Sequence, residues 1–227
     1  MGLFSKLYLL LSSIFFLAIV SCRISKYKHS NCDKVVYTEQ LVKPILSNKK
    51  PLKFKASIDV LKNHLTGILI VKQIDSVATH FIFVTELGMK MFDFLYKDNR
   101  MEAAYVFEPL NKPKLISSLM RNLENIFLLN FNNSNVCSFI SKKNEPCLQV
   151  NNKKTIFYYT GRVMDSNDLK LKSQEVFYKK RHSSKINYTY QPIVDSASRE
   201  FIVNDYSQIS CVQYGLIKIY IDLISIQ

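Results

Sequence analysis

The sequence predicts an α+β fold, a curved antiparallel sheet with one amphipathic helix packed in its concave side. Three observations predict it. Apolar runs rich in β-branched and aromatic residues recur from residue 66 onward, and the first four, Thr66 to Ile74, Thr79 to Glu86, Met89 to Tyr96 and Glu102 to Phe107, are separated by very short gaps. Connections that short join antiparallel neighbours and cannot carry a parallel crossover. Between Pro113 and Leu129 the apolar positions Leu115, Ile116, Leu119, Met120, Leu123, Ile126 and Phe127 recur at three and four residues, the stripe of a single amphipathic helix. Finally, Ile68 to Val71 and Phe81 to Val84 are apolar on both strand faces, so the sheet needs cover on both sides.

Later strand-like runs follow at Ile156 to Gly161, Glu175 to Arg181, Lys185 to Tyr190 and Leu216 to Ile226. Pro113 suits a first helical turn and the polar run Asn130 to Asn135 stops the helix. A second helix is expected over Ala56 to Asn63, and a loop or short helix over Thr38 to Pro51. Residues 35–227 read as a single domain of ordinary globular composition, with mean hydropathy near zero.

The formal charge is +13, from 31 Lys and Arg against 18 Asp and Glu. Only six of those cations are Arg, whereas phosphate and base recognition favour the bidentate guanidinium. Anionic lipid headgroups are therefore a more economical use of the basic surface than nucleic acid, with generic solubility and low-GC codon usage as the alternative. Enzyme motifs do not emerge: there is no Gly-x-Ser-x-Gly elbow and no His-Glu-x-x-His, and five glycines leave little room for a phosphate-cradling loop. Asp165 and Asp168 sit in a polar turn, while Asp93, between Phe92 and Phe94, reads as a strand acid on a solvated face or paired with a lysine. His64 and His80 would meet if their strands paired. With His29, His64, His80 and His182 scattered and no knuckle-like cysteine spacing, neither a metal nor a cofactor is expected.

The first residues carry one cation at Lys6, an uncharged stretch from Leu7 to Val20, then Ser21 and Cys22, the layout of an export signal too short to span a bilayer. Ile19-Val20-Ser21-Cys22 resembles the bacterial lipobox. That resemblance implies a signal peptide over residues 1–21, diacylglycerol on Cys22, and a polar, basic tether over residues 22–34. No aspartate or acidic run follows Cys22, so an outer-membrane lipoprotein facing the periplasm is the expected location. A secreted glycoprotein modified at Asn132 or Asn187 would need the Cys22 reading to fail. Export permits disulfides, and of Cys32, Cys137, Cys147 and Cys211 the pair Cys137 and Cys147, flanking a short polar segment, suggests a local bridge.

Thr79 to Glu86 and Met89 to Tyr96 are separated by Leu87-Gly88 alone. Leucine is a poor residue for a tight primed turn, so either Gly88 supplies the positive φ in a looser turn or Leu87 serves something besides the turn. The paired strands from Gly67, the turn Glu86-Leu87-Gly88-Met89, the strand Phe92-Asp93-Phe94 and the helix near Pro113 resemble the LolA/LolB lipoprotein-carrier superfamily, LolB in particular. The resemblance implies an open half-barrel closed by helix around an apolar cavity for lipoprotein acyl chains, with Leu87-Gly88 as the loop that dips into membrane. Glu86 stands where that family usually has proline, and the chain has no tryptophan. Cavity-lining candidates are Phe81, Phe83, Met89, Met91, Met120, Leu123 and Phe127, because aromatic and Met side chains make adaptable walls. The expectation is thus a monomeric, non-enzymatic envelope lipoprotein that binds lipid or lipoprotein acyl chains. The rival is a structural or protein-interaction lipoprotein with a filled core.

Overall fold

Strict alternation builds most of this chain. In Leu52–Val60 (β2), Phe54, Ala56, Ile58 and Val60 are buried while Lys53, Lys55 and Asp59 face out, a period of two that puts one face of a strand on a core. This overturns the helix expected from Ala56, since a helix would have scattered those four side chains around its axis. The structure, a computed structural model, describes residues 33–34, 42, 44–46, 50–74, 78–129, 136–141, 145–163, 169–190 and 206–226, without the side chains of 33–34 and 162–170. The leader, Cys22, Cys32, Asp165 and Asp168 lie outside the described residues.

Four strands follow the predicted meander: Asn63–Gln73 (β3), Ala78–Thr85 (β4), Lys90–Lys97 (β5) and Arg100–Val106 (β6). After the helix Pro113–Ile126 (α1) come Val136–Ile140 (β7), Pro146–Asn152 (β8), Thr155–Val163 (β9), Leu169–Tyr178 (β10), Arg181–Tyr190 (β11), Tyr206–Gln213 (β12) and Ile219–Ile226 (β13). With the two-residue Asp33–Lys34 (β1), they form one sheet in the order β1-β7-β8-β9-β10-β11-β12-β13-β2-β3-β4-β5-β6. Every neighbouring pair is antiparallel. Closure of β13 onto β2 is what joins the meander to the later strands, through pairs from Ile219↔Val60 to Ile226↔Lys53.

The sheet is open, with β1 and β6 at its edges, and curved. Register steps between Phe83 and Val84, Asp93 and Phe94, Leu171 and Ser173, and Thr189 and Tyr190 insert the bulges that bend strands and raise their twist. One apolar cluster runs along one face, from Val150 and Phe157 through Ile186, Ile209 and Leu223 to Phe81 and Phe94.

On α1, Leu115, Leu119, Leu123 and Ile126 are buried, together with Ser118, Asn122 and Asn125. Pro113 occupies the first turn, where its missing N–H costs nothing. The helix ends when Leu128 adopts φ 60°, a left-handed position usually given to glycine, and burial of Leu128 offsets that strain. Hydrogen bonds join α1 to the strands. Asn122 Nδ2 donates to Gln213 Oε1 at 2.8 Å, and the Tyr188 hydroxyl donates to the Ile126 carbonyl at 3.2 Å. Beyond the helix, Tyr96 OH donates to the Leu129 carbonyl at 3.2 Å.

Tyr188 also reaches Gln174 Oε1 at 3.1 Å and lies in a ladder with Tyr206 and Tyr190. Burial pushes the hydroxyls of Tyr159, Tyr188, Tyr190 and Tyr206 above the ordinary tyrosine range. The sign follows from linkage: unfolded tyrosine ionises near about pH 10, while these four stay neutral in the folded chain. Their contribution is therefore complete below about pH 10 and is lost as pH rises toward their folded values. In an alkaline titration followed by tyrosinate absorbance, these four of the 13 tyrosines should ionise together with loss of the fold. A smooth, unfolding-independent titration of all 13 would contradict this.

Candidate functional site

The β4–β5 hairpin tip is the best-defined candidate feature. Gly88 N–H donates to the Thr85 carbonyl, and Thr85 N–H donates to the Met89 carbonyl, both at 2.9 Å. Gly88 has φ 81°, while Leu87 keeps an ordinary negative φ. This is a three-residue loop closed by a left-handed glycine, the looser of the two turns open to Leu87-Gly88. The Thr85 hydroxyl accepts from Met89 N–H at 3.1 Å and braces the base of the loop. Held this way, Leu87 projects into solvent at 93% exposure instead of folding back on the sheet.

Met89 stands beside Leu87 on this tip at 47% exposure, so it belongs to the loop and not to the interior. The other candidates lie inward. Phe81, Phe83, Leu123 and Phe127 are fully buried, and the Phe127 ring meets Phe81 edge-on at 5.1 Å and Phe54 at 5.7 Å. Met91 is the extra residue of the β5 bulge and is buried, while Met120 is part exposed on α1. Met120 has company: Leu65, Val106, Phe107, Ile116 and Ile217 are likewise apolar, partly buried and packed against the same core. By chain course these side chains lie toward the end of the sheet that carries the Leu87 tip.

The polar candidates separate. Asp93 meets His80 Nδ1 at 2.7 Å, with Lys90 Nζ at 3.9 Å from its other oxygen. His64 pairs instead with Asp59 across β2 and β3. His80 sits opposite Lys72, eight residues along β3 from His64, so the two histidines do not meet. No helix among the described residues is long and apolar enough to cross a membrane.

The expected Cys137–Cys147 bridge is not present. On β7 and β8, Cys137 stands opposite Gln149 and Cys147 opposite Phe139, an offset of two residues. Such diagonal neighbours lie about 7–8 Å apart, beyond the roughly 4.4–6.8 Å span of a disulfide. Cys147 and Cys211 are buried thiols, and burial pushes the Cys211 thiol up to about 12. Cys137 is disulfide-bonded, with neither Cys147 nor Cys211 as its partner.

What sequence reasoning missed are two further apolar tips, Leu61 between β2 and β3 and Leu216 between β12 and β13, both exposed. The available signal was the same as for Leu87, leucine where turn chemistry favours a small or polar residue. Comparison with family models gives no match, and neither does comparison with curated proteins. Among solved structures, the chain is similar to a LolA superfamily protein from Nitrosomonas europaea at 12% identity and a TM-score of 0.45, over 79% of this chain and 86% of that one.

Proposed function

We propose that this chain is a non-enzymatic envelope lipoprotein, anchored through acylated Cys22 in the outer membrane, that holds lipid or lipoprotein acyl chains where α1 roofs the concave side of the half-barrel. The observation that supports it is the unsealed apolar seam. Ile116 and Met120 on α1, with Leu65, Val106, Phe107 and Ile217 from the sheet and its loops, stay part exposed against the buried core. Hydrocarbon entering there would bury that surface, and Phe83, Leu123 and Phe127 would form the floor beneath it. Met120 can reshape the wall to suit chains of different length.

The test is native mass spectrometry of the protein purified from membranes, beyond the mass of its own covalent lipid. A non-covalent lipid adduct is expected in the wild type, and Ile116→Glu with Met120→Glu should abolish it. Because both side chains are already part exposed, that variant should melt close to the wild type. A bare wild-type mass would select the filled-core interaction protein, the reading favoured by the contacts of Phe127 with Phe54 and Phe81.

A further inference from the structure

Because every strand pair is antiparallel, β2, β4, β6, β8, β10 and β12 run one way and β3, β5, β7, β9, β11 and β13 the other. The five hairpin turns that leave β2, β4, β8, β10 and β12 therefore emerge at one end of the sheet, with the longer β6–α1 connection and its Glu108 beside them, and form a single rim. Three of its tips end in exposed leucine: Leu61, Leu87 and Leu216. The other two tips, next along the sheet on one side of the leucines, are cationic, with Lys153 and Lys154 in one and Lys179, Lys180 and Arg181 in the other. Lys62, Lys90 and Lys218 flank the leucines, and the acid within these five turns is Glu86.

Backbone geometry shows that turn chemistry did not select these residues. Leu61, Lys153, Lys179 and Lys180 have φ of 57°, 50°, 47° and 65°, a region that favours Gly, Asn or Asp. At the opposite end the β5–β6 turn does use the favoured residues, Asp98 and Asn99, at φ 51° and 58°. The rim is also held in place. Lys179 N–H donates to the Lys154 carbonyl at 2.8 Å, tying two basic tips together. Asn122 on α1 bonds Gln213, whose Nε2 donates to the Ile217 carbonyl at 3.0 Å, which fixes the loop that presents Leu216.

We infer that this whole rim, and not the Leu87 loop alone, docks end-on onto an anionic lipid bilayer, with Leu61, Leu87 and Leu216 entering the interface and the lysines resting on headgroup phosphates. Charge complementarity selects an anionic surface. The leucines select a bilayer over a soluble polyanion, which would leave them in water. The inference does not depend on cargo binding, since it concerns only the outer ends of the hairpins.

The chain contains no tryptophan, so a single introduced indole reports its own surroundings. The full chain carrying Leu61→Trp, Leu87→Trp or Leu216→Trp is mixed with vesicles of one-third phosphatidylglycerol in phosphatidylcholine, with brominated acyl chains as quencher. Each should shift its emission to the blue and be quenched about twofold, whereas Ile74→Trp, exposed at the opposite end, should do neither. Lys179→Glu with Lys180→Glu should weaken binding about tenfold or more on these vesicles and leave purely neutral vesicles unaffected. Quenching of Leu87→Trp alone would reduce the contact to one finger and overturn the rim. Equal quenching at all four positions would remove its orientation. Tips that stay in water while the double lysine variant still loses binding would assign the rim to a soluble polyanion. A lipid adduct lost through Ile116→Glu and Met120→Glu while the tips remain quenched would separate cargo binding from docking.

Discussion

Phe127→Ala should lower the stability of the folded chain by roughly 3–5 kcal/mol, among the largest losses available from a single side chain. The ring is fully buried and bridges the sheet where no strand pairing does: it touches Phe54 on β2 and Phe81 on β4, strands separated in the sheet by β3. Its backbone works too, because the Phe127 carbonyl accepts from Ile45 N–H at 3.0 Å and so ties down the segment before β2. Truncation to alanine leaves a ring-sized void under α1 that neighbouring side chains close only in part, and both the transfer free energy and the cavity contribute to the loss. For a chain of this length the expectation is a melting temperature about 10 °C lower or more. Phe127→Leu should recover most of it, since it keeps volume and loses mainly the edge-on ring geometry. A loss below about 1 kcal/mol in denaturant unfolding would mean that Phe127 lines open space, as the acyl-binding reading would have it deeper than the Met120 seam.

The β3 to β6 meander was legible because Ile68 to Val71 and Phe81 to Val84 combine β-branched and aromatic residues with connections too short for anything but hairpins. The helix was legible because its stripe of Leu115, Leu119, Leu123 and Ile126 has the period of 3.6 residues. β2 was obscured by where the reading frame began. From Ala56 onward the run contains good helix formers, and only the alternation starting at Phe54 with Lys53 and Lys55 reveals the strand. β8 and β12 are different: Pro146, Asn151 and Asn152 in one, and two glutamines and two serines in the other, carry little intrinsic strand preference. Pairing with β9 and with β11 and β13 overrides that local weakness. The same split applies to the site. Leu87 stood out locally, because leucine beside glycine is poor turn chemistry. Leu61, Leu216 and the lysine turns are far apart in the chain, and only strand direction, a property of the whole sheet, collects them on one rim.

Gly67→Ala should be as damaging as the loss of Phe127, and for the opposite reason. A methyl at Gly67 would sit 2.0 Å from the Val84 carbonyl oxygen and 2.9 Å from Thr85 Cα. Both are backbone atoms, so no rotamer change relieves the clash, and β4 must move away from β3. The crowding is part of the design of the tip. At Val84 the register of β4 against β5 steps past Met91, and that bulge turns the end of β4 over Gly67 and aims the Glu86 to Gly88 loop outward. Overpacking in a well-packed site costs typically about 1–3 kcal/mol, and an immovable backbone contact puts this case at or beyond the upper end. Gly88→Ala makes the informative contrast. Nothing lies within 4 Å of its missing methyl, so only the strain of φ 81° remains, about 1 kcal/mol. Thermal unfolding should therefore rank Gly67→Ala well below Gly88→Ala. In the Leu87→Trp background, Gly67→Ala should also weaken the quenching of the tip by brominated lipid, because the loop that presents residue 87 has been pushed off its seat. Equal melting temperatures for the two glycine variants would mean that β3 and β4 separate cheaply at this point, and that the aim of the Leu87 loop is not set by close packing against Gly67.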